Sequence, residues 1–234
     1  MKTILSEING GVLITFEKKL PLSDEQIIGL REKWENMNED GEVDDLLNEA
    51  SEIASPKAFV KPLTIEQVAE DYVILSGIKF ESTILPGKFE PILNKGSGKV
   101  YGFVGTCGRE LHDWAANMDD ILLRCVADDI CLAYLGVISE EAHSYVKDNF
   151  YGQQYFTRIN PGSLKSWPIS GQIPLFKVLG EGADATGVTL TDSMLMIPFK
   201  SSSGIFFESE HTFESCQLCD KLDCPNRRAA RIEE

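Results

Sequence analysis

The stretch YFTRINPGSLKSWPISG, residues 155–171, has neither helical nor strand periodicity and is rich in proline, glycine and serine. Within it, Arg158 stands just before the Pro161-Gly162 pair. Proline and glycine together fix a tight bend, and such a bend frees main-chain N–H groups to point at a ligand. An arginine beside the bend can bind a carboxylate through two parallel hydrogen bonds. The stretch therefore predicts a site for an amino-acid carboxylate, with an ordinary loop and an arginine ion pair as the alternative.

Three further motifs follow this stretch in a fixed order. The first is a predicted helix from about Ile173 to Leu179. The second is GVTLTDSMLMIP at residues 187–198, and the third is SSSG at residues 201–204, which leads into a strand-like run at 203–207. Several motifs in one order are more specific than any single motif.

This order resembles the C-terminal half of the activation domain of cobalamin-dependent methionine synthase. The resemblance implies an α+β fold, a twisted antiparallel sheet with flanking helices, and a binding site for S-adenosylmethionine. In that family the arginine of the turn pairs with the ligand carboxylate. The positions that the resemblance assigns to the cofactor site are Arg158, Asn160, Pro161, Gly162, Thr191, Ser193, Ser203 and Gly204.

Upstream, the pattern Glu140-x-x-His143 is similar to a family helix that precedes the binding turn. In that register Glu140 faces the ammonium or sulfonium group of the ligand, where a carboxylate stabilises positive charge. A solvent-facing glutamate beside Glu141 is an equal alternative. Nothing before Gly102 aligns with the family.

The chain departs from the family pattern in three places. Ser163 follows Gly162 where the family carries tyrosine, so an aromatic contact is lost. A further aromatic-containing segment of the family after Phe207 is missing, and cysteines stand in its place. The sequence also contains no cobalamin-binding or substrate-methylating domain. We therefore expect a stand-alone activation domain that acts in trans.

The cysteine tail places Cys216, Cys219 and Cys224 within nine residues, beside Arg227 and Arg228. A Cys-x-x-Cys turn presents two sulfurs on one side and suits zinc or one edge of an iron–sulfur cluster. The arginines favour the thiolate form. The motif lacks a fourth ligand, for which His211, Cys107 or a non-protein group are candidates. Exposed thiols in a frayed tail are the alternative, while Cys107, Cys125 and Cys131 are most simply core residues.

Composition excludes several classes of function. A formal charge of −15 disfavours binding to nucleic acid and to anionic membranes. No run of about 18 apolar residues is present, so we expect no transmembrane helix. The N-terminus has no signal-peptide pattern, and we expect a cytoplasmic protein in which the six cysteines are reduced. Neither a glycine-rich phosphate loop nor a Gly-x-Ser-x-Gly motif occurs, which disfavours a hydrolase.

Local patterns predict the elements of the chain. We expect strands within 11–17, 73–85 and 99–106, and helices over 24–37, 43–53 and 109–150, the last split near 136–139. Capping boxes are predicted at Ser23-x-x-Gln26 and Thr64-x-x-Gln67, the second opening a helix after a proline-punctuated linker. Pro86-Gly87 predicts a turn. The predicted segments are 1–55 (strand plus acidic helices), 56–210 (activation-domain-like core) and 211–234 (cysteine tail).

The resemblance implies a role in reductive re-methylation of an oxidised cobalamin. The domain holds S-adenosylmethionine above the corrinoid, which is positioning rather than acid–base chemistry, and so forms part of a methyltransferase activity. The implied partners are a methionine synthase or another corrinoid-binding protein and a flavodoxin- or ferredoxin-like reductant. Two alternatives stay open: reactivation of another corrinoid-dependent methyltransferase, and a non-catalytic, metal-stabilised binding module.

Overall fold

The structure, a computed structural model, describes residues 2–17, 21–38, 41–152, 155–210, 213–224 and 227–232. Its strands are β1 (Thr3–Ile8), β2 (Gly11–Phe16), β3 (Lys57–Val68), β4 (Tyr72–Leu75), β5 (Ile78–Glu81), β6 (Lys99–Thr106), β7 (Phe156–Ile159), β8 (Thr189–Leu190), β9 (Met196–Ile197) and β10 (Ser201–Glu208). Its α-helices are α1 (Asp24–Lys33), α2 (Glu42–Ile53), α3 (Leu85–Asn94), α4 (Arg109–Ala116), α5 (Ile121–Val146), α6 (Gln172–Leu179) and α7 (Glu181–Thr186).

Eight of the strands form one sheet in the order β1-β2-β3-β6-β10-β7, with β4 pairing to β3 and β5 pairing to β4. The pairs β1/β2, β3/β4, β4/β5 and β7/β10 are antiparallel, and β8 and β9 form a separate antiparallel pair. The predicted α+β class, an antiparallel sheet with flanking helices, is therefore confirmed. Within the described residues, none of the helices combines the length and the apolar character needed to cross a membrane.

The chain forms two compact units that alternate along the sequence. Unit 1 comprises residues 1–59, 104–143 and 182–202, and unit 2 comprises residues 60–103, 144–181 and 203–234. The division into segments 1–55, 56–210 and 211–234 stays a prediction.

Unit 1 contains the acidic helices of the N-terminal region. The predicted capping box of α1 is confirmed, because Ser23 Oγ accepts from the Gln26 N–H at 3.3 Å and the Ser23 N–H donates to Gln26 Oε1 at 3.0 Å. Helix α2 buries Val43, Leu46 and Ala50, which share one face at helical spacing. Its acidic side chains face solvent, as the pattern predicts for a charged helix surface.

Unit 2 has an aromatic core on β10, whose residues 203–207 are all buried. Phe206 stacks on Phe103 with ring centroids 4.4 Å apart, and Phe207 meets the edge of Phe89 at 5.6 Å. Trp167, in the loop after β7, has no exposed surface. This core fixes the position of β10, and β10 in turn carries β7.

Three local predictions are wrong. Thr64 and Gln67 lie in β3 rather than in a helix, because Leu63 and Ile65 alternate with exposed neighbours and are buried at strand period. Pro86 stands in the first turn of α3, where proline is favoured, and not in a loop. Residues 121–146 form one helix without a break at 136–139.

We expect Gly182→Ala to destabilise unit 1. A Cβ on Gly182 would lie 2.0 Å from the ring of the fully buried Phe59, so the ring must shift. Overpacking of this kind costs about 1–3 kcal/mol. The measurement is the free energy of unfolding in urea.

The matched control is Gly136→Ala in α5, where an added Cβ meets nothing within 4 Å. Replacing a mid-helix glycine by alanine should raise the stability by up to about 1 kcal/mol. Equal effects of the two substitutions would contradict the close packing at Gly182.

Candidate functional site

The turn after β7 contains the predicted carboxylate motif. Its Gly162 has φ of +81°, and a Cβ there would lie 2.8 Å from Ile169 Cδ1. The backbone conformation therefore favours glycine, whereas the close atom is the end of a partly exposed isoleucine side chain that can shift. Pro161, just before it, is buried.

The main-chain N–H groups of this turn are already paired. The Gly162 N–H donates to the Trp167 carbonyl at 2.8 Å, and the Ser163 N–H donates to the Asn160 carbonyl at 3.2 Å. The prediction that the bend frees N–H groups for a ligand is therefore wrong for these two. The first pairing arises because residues 163–166 fold back, so that the main-chain carbonyl of Trp167 lies within hydrogen-bond distance of the Gly162 N–H.

Three of the predicted binding residues hold the turn against β10. Asn160 Nδ2 donates to the Ser203 carbonyl at 2.6 Å, and Ser203 Oγ donates to Gln172 Oε1 at 2.9 Å. A Cβ on Gly204 would lie 2.4 Å from the Ile159 carbonyl oxygen, so only glycine permits this approach. Asn160, Ser203 and Gly204 thus position the turn, and direct contact of each with a ligand stays a prediction.

Arg158 lies in β7, opposite Phe206 of β10, and is partly exposed. Burial of the guanidinium lowers its pKa, the charge of Arg228 lowers it further, and the carboxylate of Glu214 opposes both effects. Among the residues that the structure describes, no carboxylate forms an ion pair with Arg158 within 4.0 Å. The guanidinium is therefore available to an anionic ligand group.

The remaining predicted cofactor-binding residues, Glu140, Thr191 and Ser193, belong to unit 1. Glu140 is exposed on α5, and Thr191 and Ser193 hydrogen-bond to each other through their hydroxyls at 3.0 Å in the β8–β9 connection. The Leu195 N–H also donates to Thr191 Oγ1, at 3.0 Å, which fixes the shape of that connection. Their contact with a ligand stays a prediction.

The cysteine tail folds around a single arginine. Both terminal nitrogens of Arg227 donate to main-chain carbonyls, those of Cys216 (2.6 Å), Cys219 (3.0 Å), Lys221 (2.7 Å) and Ala229 (3.1 Å). A guanidinium can do this because its five N–H donors form a rigid fork. Sequence reasoning assigned Arg227 only an electrostatic effect on the thiols, since this bonding depends on the folded tail.

Cys216 has an unusual environment within the tail. Its pKa is lowered, first because the Arg228 N–H donates to its sulfur at 3.4 Å, then because of the Ala229 N–H and the charges of Arg228 and Arg227. The predicted direction of the effect is thus confirmed for this thiol, although main-chain N–H groups contribute more than the arginine charges.

A metal centre at Cys216, Cys219 and Cys224 stays a prediction. In the described portion of the chain, no three His, Cys, Asp or Glu side chains are placed to hold an ion. His211 lies outside the described residues. Cys107 is fully buried in unit 1, and its hydrogen bond with the Cys131 thiol, with burial second, raises its pKa. A neutral, buried thiol of this kind argues against Cys107 as a fourth ligand.

A cavity of about 560 Å³ lies between the turn and the tail in unit 2. Its walls are the loop from Gly162 to Ile169 and tail residues 218–221. The volume falls in the range of about 300–1,000 Å³ that is typical of small-molecule sites. Arg158 stands outside this lining, at the start of the same turn.

Comparison with known proteins finds similarity in structure but not in sequence. No protein-family model matches the chain, and no curated protein matches its sequence. The structure is similar to that of the MetH reactivation domain bound to AdoHcy (S-adenosylhomocysteine), with a TM-score of 0.63 and 18% sequence identity. The likeness covers 83% of this chain and 72% of the other. At this identity it establishes the α+β fold.

We expect the Cys216 thiol to ionise at lower pH than an ordinary thiol, because hydrogen bonds and positive charge stabilise its thiolate. In protein freed of metal with a chelator, the rate of alkylation by iodoacetamide, followed at each cysteine by peptide mass spectrometry across pH, reports this ionisation. The reference is an unstructured peptide with one cysteine. A midpoint for Cys216 at or above that of the peptide would contradict the arrangement around Arg228.

Proposed function

We propose that the chain binds S-adenosylmethionine and positions it for the reductive re-methylation of an oxidised corrinoid. The observation that carries the proposal is Arg158, a partly buried guanidinium without an ion-pair partner among the described residues, at the start of a rigid glycine turn. The fold likeness to a protein whose bound ligand is AdoHcy supports the same ligand class.

The residues of the turn fit the amino-acid end of this ligand. Burial and the neighbouring charge of Arg228 disfavour the charged form of Arg158, and the negative charge of an added carboxylate would offset both effects. The cavity beside Gly162 has room for a small molecule, although its wall begins after Arg158. Arg158 would hold the carboxylate, while Asn160, Pro161 and Gly162 would keep the turn in place.

The contribution of the protein to such a reaction is positioning. S-adenosylmethionine, when bound, supplies an electrophilic methyl group, and no general acid or base is needed from this chain. The turn is suited to positioning because Asn160 fixes it to the Ser203 carbonyl of β10 and the Gly162 N–H is bonded to the Trp167 carbonyl. Pre-organisation of this kind lowers the entropic cost of binding.

Action in trans is part of the proposal. A methionine synthase is the first candidate for the corrinoid partner, and another corrinoid-dependent methyltransferase is the alternative. The charge of −15 favours a partner or reductant-binding surface with basic character. Reactivation assays with purified candidate partners would separate the two.

A binding module without catalytic function is the second candidate. Two observations favour it: the N–H groups of Gly162 and Ser163 are satisfied within the turn, and Ser163 replaces an aromatic residue of the family pattern. Such a module would retain the fold and bind no S-adenosylmethionine.

Calorimetric titration with S-adenosylmethionine and with S-adenosylhomocysteine tests the proposal. We expect binding by the wild type and a loss of about 10–100-fold in Arg158→Ala, since charge-assisted hydrogen bonds contribute about 1.5–3 kcal/mol. Arg109→Ala removes an exposed arginine of unit 1 and should leave the affinity unchanged. Absence of binding by the wild type would reject the proposal in favour of the binding module.

From the spacing of Cys216, Cys219 and Cys224 in the sequence we also propose that these thiols bind zinc or an iron–sulfur cluster, although the described structure does not place them to hold an ion. Anaerobically purified protein is expected to contain one of these metals, with colour and iron distinguishing the cluster from zinc. Cys216→Ser combined with Cys219→Ser should remove the metal, whereas Cys125→Ser, an exposed cysteine outside the tail, should not. Metal-free wild-type protein would leave the tail as a set of free thiols.

A further inference from the structure

The tail is attached to the turn region of unit 2 at several points. Thr157 Oγ1, one residue before Arg158, donates to the Phe213 carbonyl. Asp220 forms ion pairs with Lys165 at 2.8 Å and with Arg231 at 3.3 Å, which connects the tail to the loop after the turn. The same tail supplies one wall of the 560 Å³ cavity. The tail is therefore part of the site around the turn.

Contacts within the tail determine where the Arg228 side chain lies. The bonds of Arg227 to four carbonyls hold the two ends of the tail together. The neighbouring Arg228 donates its N–H to Cys216 Sγ at 3.4 Å and places its guanidinium 3.2 Å from Glu214 Oε2. Glu214 directly follows Phe213, to which β7 is bonded. These contacts place the Arg228 side chain beside Glu214, in the part of the tail that is hydrogen-bonded to β7.

The carboxylate of Glu214 forms an ion pair with one guanidinium, that of Arg228, and acts on a second, that of Arg158, only through its charge. Arg228 and Glu214 are the charged groups that act on Arg158, and the ion pair of Glu214 is with Arg228. The cluster of Arg158, Arg228 and Glu214 thus carries one net positive charge in a chain whose net charge is −15. Partial burial of Arg158 strengthens its interaction with a nearby charge relative to bulk water, whereas the Arg228 side chain is exposed. An anionic ligand group would balance the excess charge.

We propose that Arg228 is a second carboxylate-binding residue, so that the tail completes the site for the amino-acid end of the adenosyl ligand. The inference rests on the proposed function and extends it to specificity. The ligand carboxylate binds Arg158 and Arg228 together, and a nucleoside without that carboxylate gains nothing from either arginine. Glu214 competes with the ligand for Arg228, because both are carboxylates.

Two ligands with the same nucleoside separate this role from a structural one. S-adenosylhomocysteine carries the amino-acid carboxylate, and 5′-deoxy-5′-methylthioadenosine lacks it. In Arg228→Ala, calorimetry should show a loss of about 10–100-fold for the first ligand and less than a twofold change for the second. A structural role would weaken both ligands, because the wall of the cavity would be lost.

Arg231→Ala is the matched control in the tail. Arg231 contacts Asp220 and is not among the charges that act on Arg158. We expect its affinity for either ligand to stay within twofold of the wild type. A loss specific to S-adenosylhomocysteine in this variant would assign the effect to general positive charge and overturn the proposal.

Glu214→Gln tests the competition. The capping contacts between Glu214 and Gln217 need only a side-chain oxygen, so glutamine retains them and removes the charge. We expect several-fold tighter binding of S-adenosylhomocysteine. Weaker binding would overturn the competition, and an unchanged affinity in Arg228→Ala would overturn the proposal while the proposed function stands. If the wild type binds neither nucleoside, both fall together.

Discussion

The approach of β10 to the end of β7 at Gly204 is the constraint on which the candidate site depends. An added Cβ would stand 2.4 Å from the Ile159 carbonyl oxygen, so the two strands can meet only at a glycine. This approach brings the Ser203 carbonyl within reach of Asn160, and Asn160 then fixes the start of the turn. The register opposite Phe206 fixes Arg158. The aromatic core beneath β10 therefore determines where the guanidinium lies.

The charge distribution gives this corner of unit 2 a character unlike that of the whole chain. A protein with a net charge of −15 repels anions at long range, although salt screens the repulsion beyond about 10 Å. Binding of a carboxylate therefore needs a local excess of positive charge. For the proposed ligand, Arg158 and Arg228 would provide it, with Glu214 as the carboxylate of the cluster. The net negative charge of the chain thus repels anions at long range, while attraction of the proposed ligand carboxylate would act only close to the two arginines.

Patterns that depend on neighbours in sequence predicted the fold well. The capping box at Ser23, the strand at Lys99–Thr106 and the tight turn at Gly162 follow from local chemistry alone. Thr64-x-x-Gln67 failed because polar residues at cap spacing also occupy the exposed positions of a strand, and only burial of Leu63 and Ile65 separates the two. The predicted break at 136–139 in α5 is wrong because it rested on Gly136 and Ser139, which this helix accommodates without interruption.

The tight turn of the candidate site was predictable from the sequence, while its bonding was not, and the role of the predicted residues in ligand binding stays a prediction. Arg158 was identified from its place before Pro161 and Gly162. The pairing of the Gly162 N–H with the Trp167 carbonyl depends on how the following loop folds back, which no spacing reveals. The position of Arg228 likewise depends on how the tail folds, and the sequence of the tail has neither helical nor strand periodicity.

The bonds of Arg227 separate the shape of the tail from the state of its thiols. A guanidinium keeps its proton across the whole pH range in which thiols ionise, and carbonyl acceptors do not titrate. Ionisation of a single cysteine therefore leaves the four bonds to Arg227 in place. The tail can thus change the charge of its thiols while it keeps the wall of the cavity intact.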